Sequence, residues 1–193
     1  MKNKISLILI FIIFFYSCQK KNPGILPEKK IAKQEGRKTE MKITSSSFKE
    51  GEIIPSKFTC DGEDISPQLS WKDPPENTKC FALISDDPDA PSGDWVHWVI
   101  YNIPSSVSEL TENIPKNKKL DNGTEQGLND FRKTGYDGPC PPGGIHRYYF
   151  KLYALDTMLD LGPGATKAQV LQAMKGHILA EAQLMGKYRR QSG

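Results

Sequence analysis

From Ile43 onward, apolar residues come in short runs separated by Pro, Gly, Asp and Asn. The runs predict strands at Ile43–Phe48, Gln68–Trp71, Cys80–Ser85, Trp95–Ile103 and Ile145–Leu155. Turn signals lie between them at Asp61-Gly62, Asp73-Pro74-Pro75, Pro88–Gly93, Asn122-Gly123 and Gly138–Gly144. Short strands with dense turns predict a mainly β chain built as a β-sandwich. One helix is predicted near the C-terminus. Thr166 and Gln169 have capping-box spacing, and Val170, Leu171, Met174, Ile178, Ala182 and Met185 follow in steps of three, four and one residues. Gly186 is the expected stop, and His177 is placed on this helix as a structural residue.

The start of the chain has a different pattern. Lys2 and Lys4 precede an apolar run from Ile5 to Tyr16 broken only by Ser6. That run is too short to cross a hydrocarbon core of about 30 Å as a helix, but it suits a signal peptide over residues 1–17. Cys18 follows Ser17 where the run stops. This resembles a bacterial lipobox with Phe15 where Leu is preferred, and it marks Cys18 as an acylated (palmitate-bearing) first residue of the mature chain. Gln19 after the Cys points to the outer membrane of the cell envelope. Ordinary cleavage, with Cys18 as an incidental thiol, is the competing expectation.

Residues 18–42 read as a lipidated Cys and a tether. The stretch 19–42 has eight basic and three acidic residues and no sustained period, so it is expected to stay flexible. As a coil it would span roughly 25–30 Å. Its local net charge is +5. With Lys2 and Lys4 also set aside, the overall +3 leaves −4 for residues 43–193. A slightly acidic body offers no broad nucleic-acid-binding face. No P-loop or dinucleotide fingerprint is present, and no cofactor is expected.

The candidate chemistry lies at two strand openings. Alternation puts Trp95, His97, Val99 and Tyr101 on one face of their strand. It groups His146, Tyr148, Phe150 and Leu152 in the second strand. Asp86-Asp87-Pro88-Asp89-Ala90-Pro91 precedes the first and the Pro- and Gly-dense stretch 135–144 precedes the second. Side by side, these ends would form a shallow polar pocket. His97, His146 and Tyr148 would be donors, Asp87 would orient an imidazole, and backbone N–H groups near Gly143-Gly144 would complete an anion site. Taken singly, each His is more often an interior hydrogen-bonded residue than a ligand.

Two other site chemistries are weaker. A Cys140 nucleophile with His97 or His146 and Asp87 is the thiol-hydrolase reading, but Cys140 sits between Pro139 and Pro141 in a stiff loop. A metal set of His97, His146 and Asp87 lacks any short ligand spacing, so no metal is expected.

The segments Cys60–Pro67 (CDGEDISP), Asp87–Pro91 (DPDAP), Trp95–Pro104 (WVHWVIYNIP) and Gly138–Tyr148 (GPCPPGGIHRY) resemble the phosphatidylethanolamine-binding protein family, in its bacterial Raf-kinase-inhibitor-like branch. The resemblance runs from about Ile43 to Arg190, so the domain is taken as 43–193. It implies a large antiparallel sheet packed on a smaller one, with short flanking helices and the C-terminal helix. It also implies a pocket for phosphate-like anions or phospholipid headgroups, on Asp87, Trp95, His97, His146 and Tyr148, and a cis bond at Pro88 or Pro91. Cys60 and Cys140 both flank family segments and are the favoured disulfide pair, leaving Cys80 over. Val96 stands where eukaryotic members often have a second His, and the eukaryotic insertion before that strand is missing, so their kinase inhibition is not transferred. The function expected is a non-enzymatic, membrane-tethered binding module. The alternative is a protein inhibitor of a partner kinase or hydrolase acting through surface loops.

Overall fold

The computed structural model describes residues 40–190. The expected signal peptide, Cys18 and nearly all of the tether lie outside the described residues. Met41 is buried, and Lys42 already opens the first strand.

Among the described residues, eight strands form two antiparallel sheets. The smaller has the order β1 (Lys42–Thr44), β2 (Leu69–Lys72) and β5 (Glu109–Leu110). The larger runs β6 (Glu125–Gln126), β4 (Trp95–Pro104), β3 (Cys80–Asp87), β7 (His146–Leu155) and β8 (Ile178–Tyr188). β3 is central and buried along its whole length, which suits its apolar first five residues, Cys80 to Ile84.

The two faces of β3 carry different partners. Phe81 and Leu83 face the smaller sheet and pack with Trp71, Leu69, Ile43, Phe150 and Leu152. Cys80, Ala82 and Ile84 face the other way, onto Val170 and Met174 of the helix α1 (Lys167–Met174). A one-turn 3-10 helix spans Ser56–Phe58.

The C-terminal expectation is corrected. The capping box at Thr166 and Gln169 forms as its spacing predicts, but α1 stops at Met174. Gly176 takes a left-handed φ of 85° that turns the chain out of the helix. Residues from Ile178 to Tyr188 then pair with β7, and His177 lies in the connecting turn against Asp156 at 2.8 Å. Ala180, Ala182, Leu184 and Tyr188 point to the core at a period of two. Ala182 and Met185, three residues apart, would share a helix face but lie on opposite faces of β8. Gly186 is a strand residue, not a helix stop: a Cβ there would lie 2.4 Å from Ile54 Cγ1.

Candidate functional site

Along β3, Asp87 belongs to the series Phe81, Leu83, Ser85 and so ends the strand on the smaller-sheet face. On β7, His146 and Tyr148 continue the series Phe150, Leu152 on that same face. β3 separates β4 from β7, so the two His-bearing strands are not neighbours, and Asp87 stands between them.

Strict alternation would have put His97 with Val99 and Tyr101, which pack on the α1 side. A β-bulge prevents this. Ser85 pairs with Trp98 and Asp86 with Val96, leaving His97 as the extra residue. His97 and Trp98 therefore both turn toward the smaller-sheet side, and the His97 ring meets Tyr148 edge-on with centroids 5.2 Å apart. The predicted meeting occurs through a bulge that alternation does not contain.

Each imidazole is fixed at Nδ1. His146 Nδ1 lies 2.7 Å from Asp87 Oδ2, and Asp87 Oδ1 accepts the Asp89 N–H at 2.8 Å. His97 Nδ1 donates to the Asp137 carbonyl at 2.7 Å. Burial holds the His97 ring below its usual pKa, against the opposing pull of the Asp137 carbonyl and the Asp87 and Asp137 carboxylates. Tyr148 is buried, and its Oη has no hydrogen-bond partner among the described residues. Burial and then the Asp87 carboxylate push this phenol well above its usual value, so it remains a protonated donor. Asp87 lies close enough to act on the phenol by charge, but not in hydrogen-bonding geometry.

Residues outside the predicted set complete the surroundings. Asn129 Nδ2 donates to Asp137 Oδ2 at 2.6 Å, and Lys116 and Lys133 flank Oδ1 at 3.4 and 3.3 Å. Arg147 binds Asp89 through Nε at 2.8 Å and Nη2 at 2.7 Å, tying the β3–β4 turn to β7 and bringing the Asp89 carboxyl down to about 2. Phe131 lies over both Trp95 and His97, at 5.4 and 5.5 Å between centroids, and stays 37% exposed. The second acid of Asp87-Pro88-Asp89 was visible in the sequence. Phe131 carried no periodic signal, because its loop belongs to no strand.

A cavity of about 510 Å³ opens beside His146, lined by Asp89, Gly143, Gly144, Ile145, Arg147 and Lys187. Of the five expected pocket residues, His146 alone lines it. Asp87, His97 and Tyr148 are buried and stand outside that lining, and Trp95 is half-buried beside Phe131.

Two further expectations resolve. Cys60 and Cys140 form a disulfide, so Cys140 presents no thiol nucleophile, and Cys80 is the buried free thiol among the described residues. The expected cis bond at Pro88 or Pro91 is absent, since all described peptide bonds are trans. The turn is held instead by Asp87 capping the Asp89 N–H and by Arg147 on the Asp89 carboxylate.

The phosphatidylethanolamine-binding protein family matches residues 44–189 of this chain. A UPF0098 protein of Methanothermobacter thermautotrophicus is 57% identical over 150 residues, covering 78% of this chain and 99% of its own. A UPF0098 protein of Aquifex aeolicus is 53% identical over 153 residues, covering 78% and 89%. Among solved structures, the phosphatidylethanolamine-binding protein homologue CT736 of Chlamydia trachomatis superposes with a TM-score of 0.73 at 44% identity, over 79% of this chain and 99% of that one. YbcL of E. coli, described as a member of the mammalian family, gives 0.74 at 35% identity over 79% and 100%. With the bulged β4, the Asp87–His146 pair and the two packed sheets in place, the chain belongs to the phosphatidylethanolamine-binding protein family.

Proposed function

We propose that this protein is a non-enzymatic binding module whose pocket takes a phosphate-like anion or a phospholipid headgroup, presented in the cell envelope from a lipid anchor on Cys18. The observation that carries the reading is the unpaired Tyr148 Oη. A buried hydroxyl without a partner costs about 1–3 kcal/mol, and a guest that accepts its proton removes that cost. The surrounding groups suit such a guest. Arg147 and Lys187 line the cavity beside exposed Gly143 and Gly144, together with the His146 imidazole. The pairing of Cys140 with Cys60 also favours binding over thiol chemistry.

Isothermal titration of inorganic phosphate and phosphoethanolamine into wild type and His146→Ala tests the pocket. Saturable heat in wild type that weakens at least tenfold in the variant is expected; equal heats in both proteins would refute it. Radiolabelled fatty acid incorporated into the full chain in bacteria, and lost in Cys18→Ser, tests the anchor.

A further inference from the structure

The outer face of the large sheet is covered in its middle by α1, whose Val170 and Met174 cluster with Ala82, Ile84, Val99 and Leu155. The end of that face formed by the start of β7 and the end of β8 is open, and register defines what stands there. Arg147 pairs with Lys187, and Lys187 is bridged on its other side to Ile53. Partners across a sheet share a face, so Arg147, Lys187 and Ile53 form one row across three neighbouring segments. Ile145, two residues before Arg147, falls on the same face, and Tyr149 with its partner Met185 forms the next row. Burial agrees with this reading. Ile54, His146 and Tyr188 point inward and are buried, whereas Ile53 and Ile145 are 56% and 54% exposed, the most of any large apolar residue among those described.

Aliphatic side chains are thus interleaved with cations: Ile53 beside Lys187, Ile145 beside Arg147, and exposed Arg189 directly after Tyr188. No carboxylate belongs to these rows. The nearby acids are already bonded, Asp89 to Arg147, Glu50 to the Met185 N–H and Glu52 to the Lys49 N–H. Residues 43–193 as a whole carry −4, so this cationic face runs against the charge of the domain.

We infer that this face docks flat on the surface of an anionic membrane, with Ile53 and Ile145 entering the headgroup layer and Lys187 and Arg189 against lipid phosphates. The inference rests on the membrane tether of the reading above. Charge complementarity selects the occupant, because a negative leaflet attracts a local cluster of Lys and Arg at close range. The path of the chain agrees. Glu40, where the tether ends, lines a cavity together with Gln183 and Leu184, so the tether joins the domain beside β8. Its span of roughly 25–30 Å lets the neighbouring face reach the headgroups. A protein partner suits the face less well. The centres of protein interfaces are depleted of Lys, and here Lys187 stands in the middle of the row. A second copy would set cations against cations.

The test places the full chain, purified from bacteria, in lipid nanodiscs that carry a spin-labelled lipid, and reads paramagnetic broadening of methyl signals by NMR. The discs are phosphatidylcholine alone or phosphatidylcholine mixed with phosphatidylglycerol. In the anionic discs Ile53 and Ile145 should broaden at least threefold more than Met158, which is 51% exposed beyond the far end of β7. The excess should fall away in phosphatidylcholine alone and at about 1 M salt. Ile53→Asp and, separately, Arg189→Glu change exposed positions, and each should cut the Ile145 excess while the chain stays in the disc. Equal broadening of the three residues, an excess that persists in phosphatidylcholine alone, or an Ile145 excess unchanged in both variants would overturn the inference. Signals of Ile53 and Ile145 that shift with protein concentration in the absence of lipid would assign the face to a second copy and overturn it too. A chain that does not enter the discs at all would remove the tether reading, and this inference with it.

Discussion

Asp87 and His146 lie 59 residues apart and meet in the buried floor of the site, with His146 Nδ1 2.7 Å from Asp87 Oδ2. The contact joins the end of the central strand to the start of its neighbour, and it fixes which imidazole nitrogen is free. Asp87→Ala should remove both the acceptor of His146 and the cap on the Asp89 N–H. A hydrogen bond to a charged group contributes about 1.5–3 kcal/mol, and a loss in that range is expected in urea unfolding. A change below about 0.5 kcal/mol, the level of an ordinary surface substitution, would show that the contact does not hold the site together.

Tyr148→Phe separates stability from binding. The hydroxyl has no partner in the free protein, so its removal should leave stability unchanged or raise it by about 1 kcal/mol. Phosphate affinity should fall at least tenfold in the same variant. A destabilised variant with full affinity would reverse the role given to this oxygen.

Acid should destabilise the protein through His97. His97 has a lowered pKa when folded, so the unfolded chain binds its proton more readily. The stability it contributes is present above the unfolded value of about 6.5 and is lost as pH falls below it toward the folded value. Unfolding free energies at pH 7.5 and 5.5 should show this drop in wild type and a smaller one in His97→Asn. Identical slopes for the two proteins would place the acid sensitivity elsewhere.

The Cys60–Cys140 bridge closes a loop of 80 residues and ties the turn after the 3-10 helix to the segment entering β7. Chain-entropy arguments put its contribution at about 4 kcal/mol. The Cys60→Ser/Cys140→Ser double variant should lose stability of that order by chemical denaturation. An unchanged midpoint would mean that the Cys60 N–H bond to Pro139 and the Tyr136 hydroxyl on the Phe58 carbonyl suffice alone.

Much of this architecture was legible because burial follows period. The run Cys80–Ser85, apolar almost throughout, became a strand covered on both faces, and Trp95–Ile103 and Ile145–Leu155 became its neighbours. β8 was missed because small residues serve both periods. Ala182 fits a strand face with Ala180 and Leu184 as well as a helix stripe with Ile178 and Met185, and only the partner strand decides. Gly186 shows the same limit. Its role is the close approach of Ile54, a residue 132 positions earlier, which local sequence does not encode. The five expected site residues came together, Trp95 at the edge through Phe131, yet the facing of His97 depends on a bulge opposite Ser85 and Asp86. The partners that set its tautomer, Asp137 and behind it Asn129, come from a loop without periodicity.

The account depends on a guest completing the hydrogen bonding of the buried phenol. A crystal structure of the protein grown with inorganic phosphate and free of other oxyanions tests that most directly. Tetrahedral density is predicted against His146, with one oxygen about 2.7 Å from Tyr148 Oη. Phosphate bound only at the outer lysines, with the phenol still unpaired, would contradict it.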